Sequence, residues 1–461
     1  MHSPGHGLAV EFALKIPHSK GVAMSKKFHL GWFMNFTPPD WETDWASPDV
    51  RNWPTGDFYV DMARNLERAC FDYIMIEDTV MVADAYGGTM EGSLKNSVFA
   101  PKQDPVPLAV LLAAKTKKLG VVATMSTSFY PPYLLARLCS TVDSIAEGRF
   151  GWNIVGSAED RAAQNFGMDA LAEHDDRYAI ADEYFEVVNK LWDSWAADAV
   201  VMDRETHTYA DYTKVHTIDF EGKYFKSRGP LNTVPSPQHR PTFVQAGASP
   251  RGRAFASRAA DSIIAVGTGV EGMKEYRDDI RARMTEIGRN PDDCKLLFVV
   301  SPTVAATESE ARETVARMLE TPGYVEKALV GISSNTEIDF STFPLDEPLP
   351  EGLTTNGERG SLEHFMRGDG SPGPKTLRQL VMERTKRGLE LVGTPEQVAR
   401  KMGEAMEEVG GDGFLIAKPG WDLNRQYISS ITDGLVPELQ RQGLTRTEYT
   451  KSTLRETLRE F

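Results

Sequence analysis

A β-type run followed by a helix, repeated along most of the chain, is the feature that most narrows the possible folds. FHLGWFMNF (28–36) reads as a first strand, and the helix-spaced DFYVDMARNLERACFD (57–72) leads directly into YIMIED (73–78). PLAVLLAAKTKKLG (107–120) is a helix with a Lys- and Gly-rich end, a favourable C-terminal composition, and it precedes the strand VVATMSTS (121–128). LLARLCSTVDSIAEG (134–148) then delivers the chain to FGWNIV (150–155). PTFVQAG (241–247), DSIIAVG (261–267), LLFVVSPTVA (296–305) and DGFLIAK (412–418) complete eight strands, with helical segments between them. Regular βα alternation argues for a parallel sheet. Eight units make a closed (β/α)8 barrel the first expectation and an open doubly wound sheet the second.

Three segments break the repeat: a Gly- and Pro-containing stretch at 79–105, a polar stretch at 194–240, and a Pro-, Gly-, Ser- and Thr-rich stretch at 323–375. The first and third read as loop-like, and long loops in compact domains are usually functional lids or disordered. Residues 1–25 read as a disordered leader, because Met24 followed by SKK resembles a second start, and 26–461 is expected to be a single barrel. The net charge of −15, with Lys and Arg interleaved among acids as in KEYRDDIRARMTEIGR (274–289), argues against a nucleic-acid surface. No run approaches the ~20 apolar residues that span a bilayer, and no signal-peptide cleavage region stands out, so a cytoplasmic protein is expected. Cys70, Cys139 and Cys294 are too few and too dispersed for a disulfide framework or a cysteine metal site.

In a barrel the chemistry sits at the C-terminal strand ends. Those ends supply Met34 and Asn35, Glu77 and Asp78, Thr124 to Ser128, Asn153, and Gln245 to Ser249. This set is polar, yet it contains no nucleophile–base pair and no metal triad. Asn153 is notable because it interrupts an otherwise apolar strand, where an unpartnered amide costs about 1–3 kcal/mol. QAGASPRGRAFA (245–256) runs from a strand through small residues into a helix with Ser249 at its cap and Pro250 at its first position. Such an end either simply caps the helix or receives a phosphate with help from Arg251 and Arg253. YPPY (130–133) fits a helix start and could also stiffen one wall of a pocket. No GxGxxG or GxxxxGK[ST] pattern marks a dinucleotide fold or P-loop.

DYIMIEDT, TMSTSFYPPYLLAR, GRFGWNIVGS, EHDDRY-x4-DEY and QAGASPRGRAFA occur in this order. Together they resemble the bacterial-luciferase-like flavin-dependent monooxygenases. The nearer branch includes nitrilotriacetate, dibenzothiophene-sulfone and dimethyl-sulfide monooxygenases and pristinamycin synthase. The likeness runs from about residue 28 to the RTEYTKSTLRE tail. It implies a (β/α)8 TIM barrel with a lid built from insertions, and a two-component enzyme that oxygenates a small organic molecule with reduced FMN and O₂ through a C4a-peroxyflavin. A separate NAD(P)H:flavin reductase would supply the FMNH₂, and the chain would form a homodimer or homotetramer. Motif by motif, the resemblance assigns Asp78, Thr124, Asn153, His174, Tyr178 and Ser249 to the cofactor, with Asn153 also the catalytic candidate, and no metal.

Two departures stand out. Gly156 replaces a Thr that relatives often carry after the WN motif, and Asn335 follows SS where sulfone-acting members place a His, leaving His364 as a substitute on the lid. Trp32, Phe33, Phe36, Trp41, Trp45 and Trp53 form an aromatic-rich cluster that reads equally as core packing or as a substrate wall. A substrate wall favours an organosulfur compound such as dimethyl sulfide over an aminopolycarboxylate, with sulfones and alkanes as further alternatives. A deazaflavin-dependent oxidoreductase and a non-catalytic flavin-binding barrel remain competing readings.

Overall fold

A computed structural model describes residues 26–43, 46, 50–368, 373–383, 388–420 and 423–461. The expected leader and Trp45 lie outside the described residues. Eight parallel strands close into a barrel: β1 (His29–Asn35), β2 (Tyr73–Glu77), β3 (Gly120–Ser126), β4 (Phe150–Val155), β5 (Thr242–Gln245), β6 (Ser262–Ala265), β7 (Lys295–Val300) and β8 (Gly413–Ile416). They pair in sequence order, and β8 closes on β1 through His29↔Gly413 to Trp32↔Ile416. The closed barrel is thus the first expectation realised. The seventh strand is shorter than its apolar run, because Pro302 follows it. Beyond that break Thr303–Val304 pairs with Val392–Gly393 instead.

Alternation along the strands divides the side chains between two layers. Leu30, Trp32 and Met34 point outward and pack under the helices, in the same cluster as Phe71 and Tyr427. Tyr73, Met75, Val122, Val244, Ile264, Leu297 and Leu415 fill the barrel, with Phe33 and Val299 against them. Leu454 and Leu458 enter the same cluster from the helix Leu454–Leu458, whose first amide N–H donates to Gly148 O just before β4. The tail therefore plugs the N-terminal end of the barrel and leaves the C-terminal end as the mouth. Gly31 is required inside: a Cβ there would meet Leu415 Cδ1 at 2.6 Å.

The outer helices include α1 (Asp57–Arg68), α2 (Pro105–Lys115), α3 (Pro132–Ile145), α4 (His174–Trp192), α5 (Pro250–Ala259) and α6 (Gly269–Glu286). In α1 Tyr59, Met62, Ala63 and Leu66 recur at helical spacing and are buried, which is why this segment is a helix on the barrel wall. The stretch expected to be loop-like at 323–375 is instead partly helical, with α7 (Tyr324–Thr336) and α8 (Arg359–Arg367). These helices share a separate small core of Ala328, Leu329, Phe340, Leu362 and Phe365, which gives the insertion its own reason to fold. α7 also packs on the helix Glu91–Asn96 of the 79–105 insertion, where a Cβ on Gly92 would meet Val330 Cγ2 at 2.8 Å. The 194–240 stretch carries two short hairpins, Val200–Asp203 with Thr208–Ala210 and Phe220–Glu221 with Lys226–Ser227.

Candidate active site at the barrel mouth

Asn153 and Thr124 lie side by side on β4 and β3, in register, and both are buried. Asn153 Nδ2 donates to Thr124 Oγ1 at 2.9 Å, and Thr124 Oγ1 donates to Ile76 O at 2.8 Å. Asn153 faces the interior because Gly151, two residues earlier, does so. Its Oδ1 is buried and has no hydrogen-bond partner. That orphaned acceptor is the polar atom that a donor-bearing ligand in the mouth would satisfy.

Asp78 follows β2. Burial pushes its carboxyl up to about 7, against the lowering effect of Lys102, while Glu77 and Asp104 add to the rise. Glu77 itself is paired with Lys102 (2.6 Å), and Asn35 is satisfied with its amide nitrogen toward Glu77 Oε2 at 3.0 Å. Beyond β4, Ser128 Oγ donates to Gly156 O (2.8 Å) and Ser157 Oγ to Ser126 Oγ (2.8 Å). A Cβ at Gly156 would meet only Arg177 Cβ, at 3.9 Å, so the missing side chain leaves open space there.

The remaining candidates gather at the end of β5. Ser249 caps α5, its Oγ accepting from the Gly252 N–H at 3.1 Å. Tyr178 Oη and Ser249 Oγ both face Gly252, and Tyr178 stacks edge-on with His174, ring centroids 5.2 Å apart. A Cβ on Gly252 would meet Tyr178 Oη at 2.6 Å, and one on Gly247 would meet Gly252 O at 2.6 Å. The backbone is thus drawn tightly around Ser249 and Tyr178, with a helix N-terminus beside them, a setting suited to a phosphate. The two arginines have other tasks: Arg251 pairs with Asp182, and Arg253 with Asp279 at 3.1 Å. His174 Nδ1 lies 2.9 Å from Asp175 Oδ1.

Among the described members of the aromatic cluster, three pack away from the mouth. Trp32, Phe36 and Trp53 belong to the outer core, with Phe36 edge-on to Trp53 at 5.3 Å. Trp41 is largely exposed, beneath the Lys327 ammonium of α7. Only Phe33, among the described members, faces the barrel interior. Asn335 lies near the end of α7, its carbonyl accepting from Glu358 N–H at 2.8 Å, and His364 lies on α8.

Two residues at the mouth carry no sequence signal. Glu159, after β4, is 6% exposed and accepts from the Ala158 N–H at 3.1 Å. Burial, with Glu358 and Glu77 facing it, pushes its carboxyl up to about 7. Lys102, within the 79–105 insertion, is the other, its side chain buried against Glu77. Among the described residues no group of three His, Cys, Asp or Glu is placed to hold a metal ion.

A buried, unpartnered amide oxygen at the mouth of a (β/α)8 barrel, with a helix N-terminus drawn tightly around Ser249 and Tyr178, is the setting of a cofactor-dependent enzyme. The family model for luciferase-like monooxygenases matches residues 28–413. Dibenzothiophene-sulfone monooxygenase from Rhodococcus erythropolis (strain XP) is 36% identical over 445 residues, covering 95% of this chain and 97% of that protein. Dimethyl-sulfide monooxygenase from Hyphomicrobium sulfonivorans is 36% identical over 405 residues, 87% of this chain and 83% of that protein. The crystal structure of a riboflavin lyase with modified FMN and riboflavin superimposes with a TM-score of 0.84 at 32% identity, covering 95% of this chain and 96% of that one. The chain belongs to the luciferase-like monooxygenase family. It is an FMN-dependent monooxygenase, as its sequence motifs imply.

Proposed function

We propose that this chain is the oxygenating component of a two-component system, taking reduced FMN from a separate NAD(P)H:flavin reductase and acting with O₂ on a small organic substrate. The observation that carries the reading is the buried, unpartnered Asn153 Oδ1 at the mouth, held in place by the Thr124 hydroxyl. The residues fit the cofactor: Asn153, Thr124 and Asp78 would hold the ring side, and Ser249, Tyr178 and His174 the phosphate side. Reduced FMN, when bound, supplies the electrons for O₂ activation, which the protein's own side chains do not.

The protein orients and excludes. Thr124 Oγ1, by accepting from Asn153 Nδ2, leaves the amide oxygen free for a ligand donor. The 323–375 insertion closes over the mouth through Arg177 Nη2 donating to Asn356 O (3.0 Å) and Asp160 N–H donating to Glu337 Oε1 (2.6 Å). Such cover excludes water from the reacting centre. Of the basic side chains around the mouth, Lys102 is engaged with Glu77 and Arg177 with the carbonyls of Ala172 and Asn356. That balance favours a neutral substrate, an organosulfur compound first, over an aminopolycarboxylate.

Among the described residues no helix is long and apolar enough to cross a membrane. All three cysteines are free and buried, which suits the cytoplasm. We propose a homodimer or homotetramer there, checked by light scattering. The functional test is an anaerobic titration with photoreduced FMN, followed by oxygen and a reductase-coupled screen of sulfides, sulfones, amines and alkanes. Tight binding of reduced FMN with oxygenated product supports the reading. Preference for a reduced deazaflavin, or oxygen consumption with no product from any class, overturns it.

A further inference from the structure

Lys102 lies in the 79–105 insertion, just before α2, in a PKQDP stretch with no recognisable motif. Its side chain is 4% exposed. The ammonium donates to Glu77 Oε2 at 2.6 Å and to Thr79 Oγ1 at 2.8 Å, and it sits 5.1 Å from the Phe99 ring centroid. Glu77 and Thr79 flank Asp78 on either side. One buried cation therefore ties down both neighbours of the carboxylate assigned to the flavin.

We infer that Lys102 is the positioning residue for Asp78, fixing the turn after β2 and supplying the positive charge against which that carboxylate faces the mouth. The inference rests on Asp78 being a cofactor-side residue. A lysine that merely pinned the insertion would need one acceptor on the barrel, and a surface one would serve. Here it is desolvated and bridges the two residues on either side of Asp78. The groups facing Asp78 are Lys102, Glu77, Asp104 and the Tyr130 phenol, and of these only Lys102 opposes the effect of burial through its charge. Glu77 is in turn faced by Glu159 and Glu358 across the mouth. Without the ammonium the strand end would hold adjacent acids with nothing to neutralise them, and Asp78 would stay protonated through the neutral range.

The test is a carboxylate ¹³C NMR titration of the ligand-free protein, with Asp78→Asn assigning the signal. The wild-type midpoint is expected near the raised value of about 7. In Lys102→Met it should rise by about one pH unit or more, and Lys102→Arg should restore it, since an opposite charge at this range shifts a carboxyl by about 1–3 units. Glu77→Gln, which keeps the cation and removes an acid, should lower the midpoint; this variant decides the matter if Lys102→Met does not fold. A folded Lys102→Met with an unmoved midpoint, or a Glu77→Gln midpoint that stays or rises, overturns the inference. Reduced-FMN affinity is measured across pH on the same samples. Its acid limb should move with the Asp78 midpoint. Wild-type protein that titrates as expected yet binds no reduced FMN sinks the cofactor assignment of Asp78 while leaving the Lys102 coupling intact.

Discussion

Replacing Glu159 by Gln should stabilise the protein, and only above a definite pH. Glu159 is buried after β4, accepts one backbone N–H from Ala158, and faces Glu358 and Glu77, whose effect together with burial outweighs that of the nearby Arg177. Its carboxyl is raised from 4.5 to about 7. A raised carboxyl binds a proton in the native state that the unfolded chain has already released. Its favourable contribution is therefore complete below about pH 4.5 and is lost as pH climbs through about 7. The gap of roughly 2.5 pH units, at about 1.4 kcal/mol each, amounts to about 3 kcal/mol. Gln keeps the volume and the acceptor for Ala158 but does not ionise. Urea unfolding of both proteins between pH 4.5 and 8, compared as a difference so that other titrating groups cancel, reads this directly. The variant should gain on wild type steadily across the window, by about 3 kcal/mol in total. A flat difference would falsify the burial argument, and a loss above pH 7 would mean that Glu159 is held as a carboxylate by a cation.

Asn153→Leu should weaken reduced-FMN binding about 10-fold, the worth of one hydrogen bond to a buried amide, while Thr124 keeps its bond to Ile76 O and the melting curve stays near wild type; unchanged affinity by anaerobic fluorescence titration would remove Asn153 from the site. Ser249→Ala should cost about 1 kcal/mol of stability through the lost α5 cap. It should also weaken FMN more than riboflavin, and equal effects on the two flavins would deny Ser249 a role at the phosphate. Arg446→Met should be the most damaging of the set. Arg446 Nη2 lies 2.7 Å from Asp72 Oδ1, and that buried carboxylate also depends on His29 at 2.8 Å. Removing one partner of such a pair costs about 3–5 kcal/mol, to be read as a large fall in the urea midpoint, and a fall under ~1 kcal/mol would show that His29 and the Leu30 N–H satisfy Asp72 without it.

The barrel strands could be read from sequence because each is buried on both sides and appears as a short apolar run between turn signals. The polar residues at their ends followed from the same reading, since the mouth is where such runs stop. What the sequence hid was direction and distance. Trp32 and Phe33 are neighbours in the chain, yet alternation sends one into the outer core and the other into the barrel. The helices at 324–336 and 359–367 escaped because surrounding Pro and Gly dilute their periodicity, and because they bury against each other rather than against the barrel. Glu159 and Lys102 are ordinary surface residue types. Only the closure of the insertions over them makes them unusual, and no local pattern records that closure.

The mouth is divided by the order of the strands. β1 to β4 bring Asn35, Glu77, Thr124, Ser126 and Asn153 to its rim, and the turn after β5 adds Ser249, whereas the inward side chains of β6 to β8 are the apolar Ile264, Val299 and Leu415. The polar arc from β1 to the end of β5 suits the common task of holding a cofactor, and the inward residues of β6 to β8 are apolar. Relatives named for a sulfone and for a sulfide are each 36% identical to this chain. Overall similarity therefore does not sort these substrates, and the barrel rim, which serves a shared cofactor, has little freedom to do so. The 323–375 insertion has that freedom. Its helices rest on a core of their own, so residues on its mouth-facing side can change without disturbing the barrel. Under the proposed function, we expect the substrate to be sorted at the open space of Gly156 and at the insertion residue Asn356, whose carbonyl accepts from Arg177.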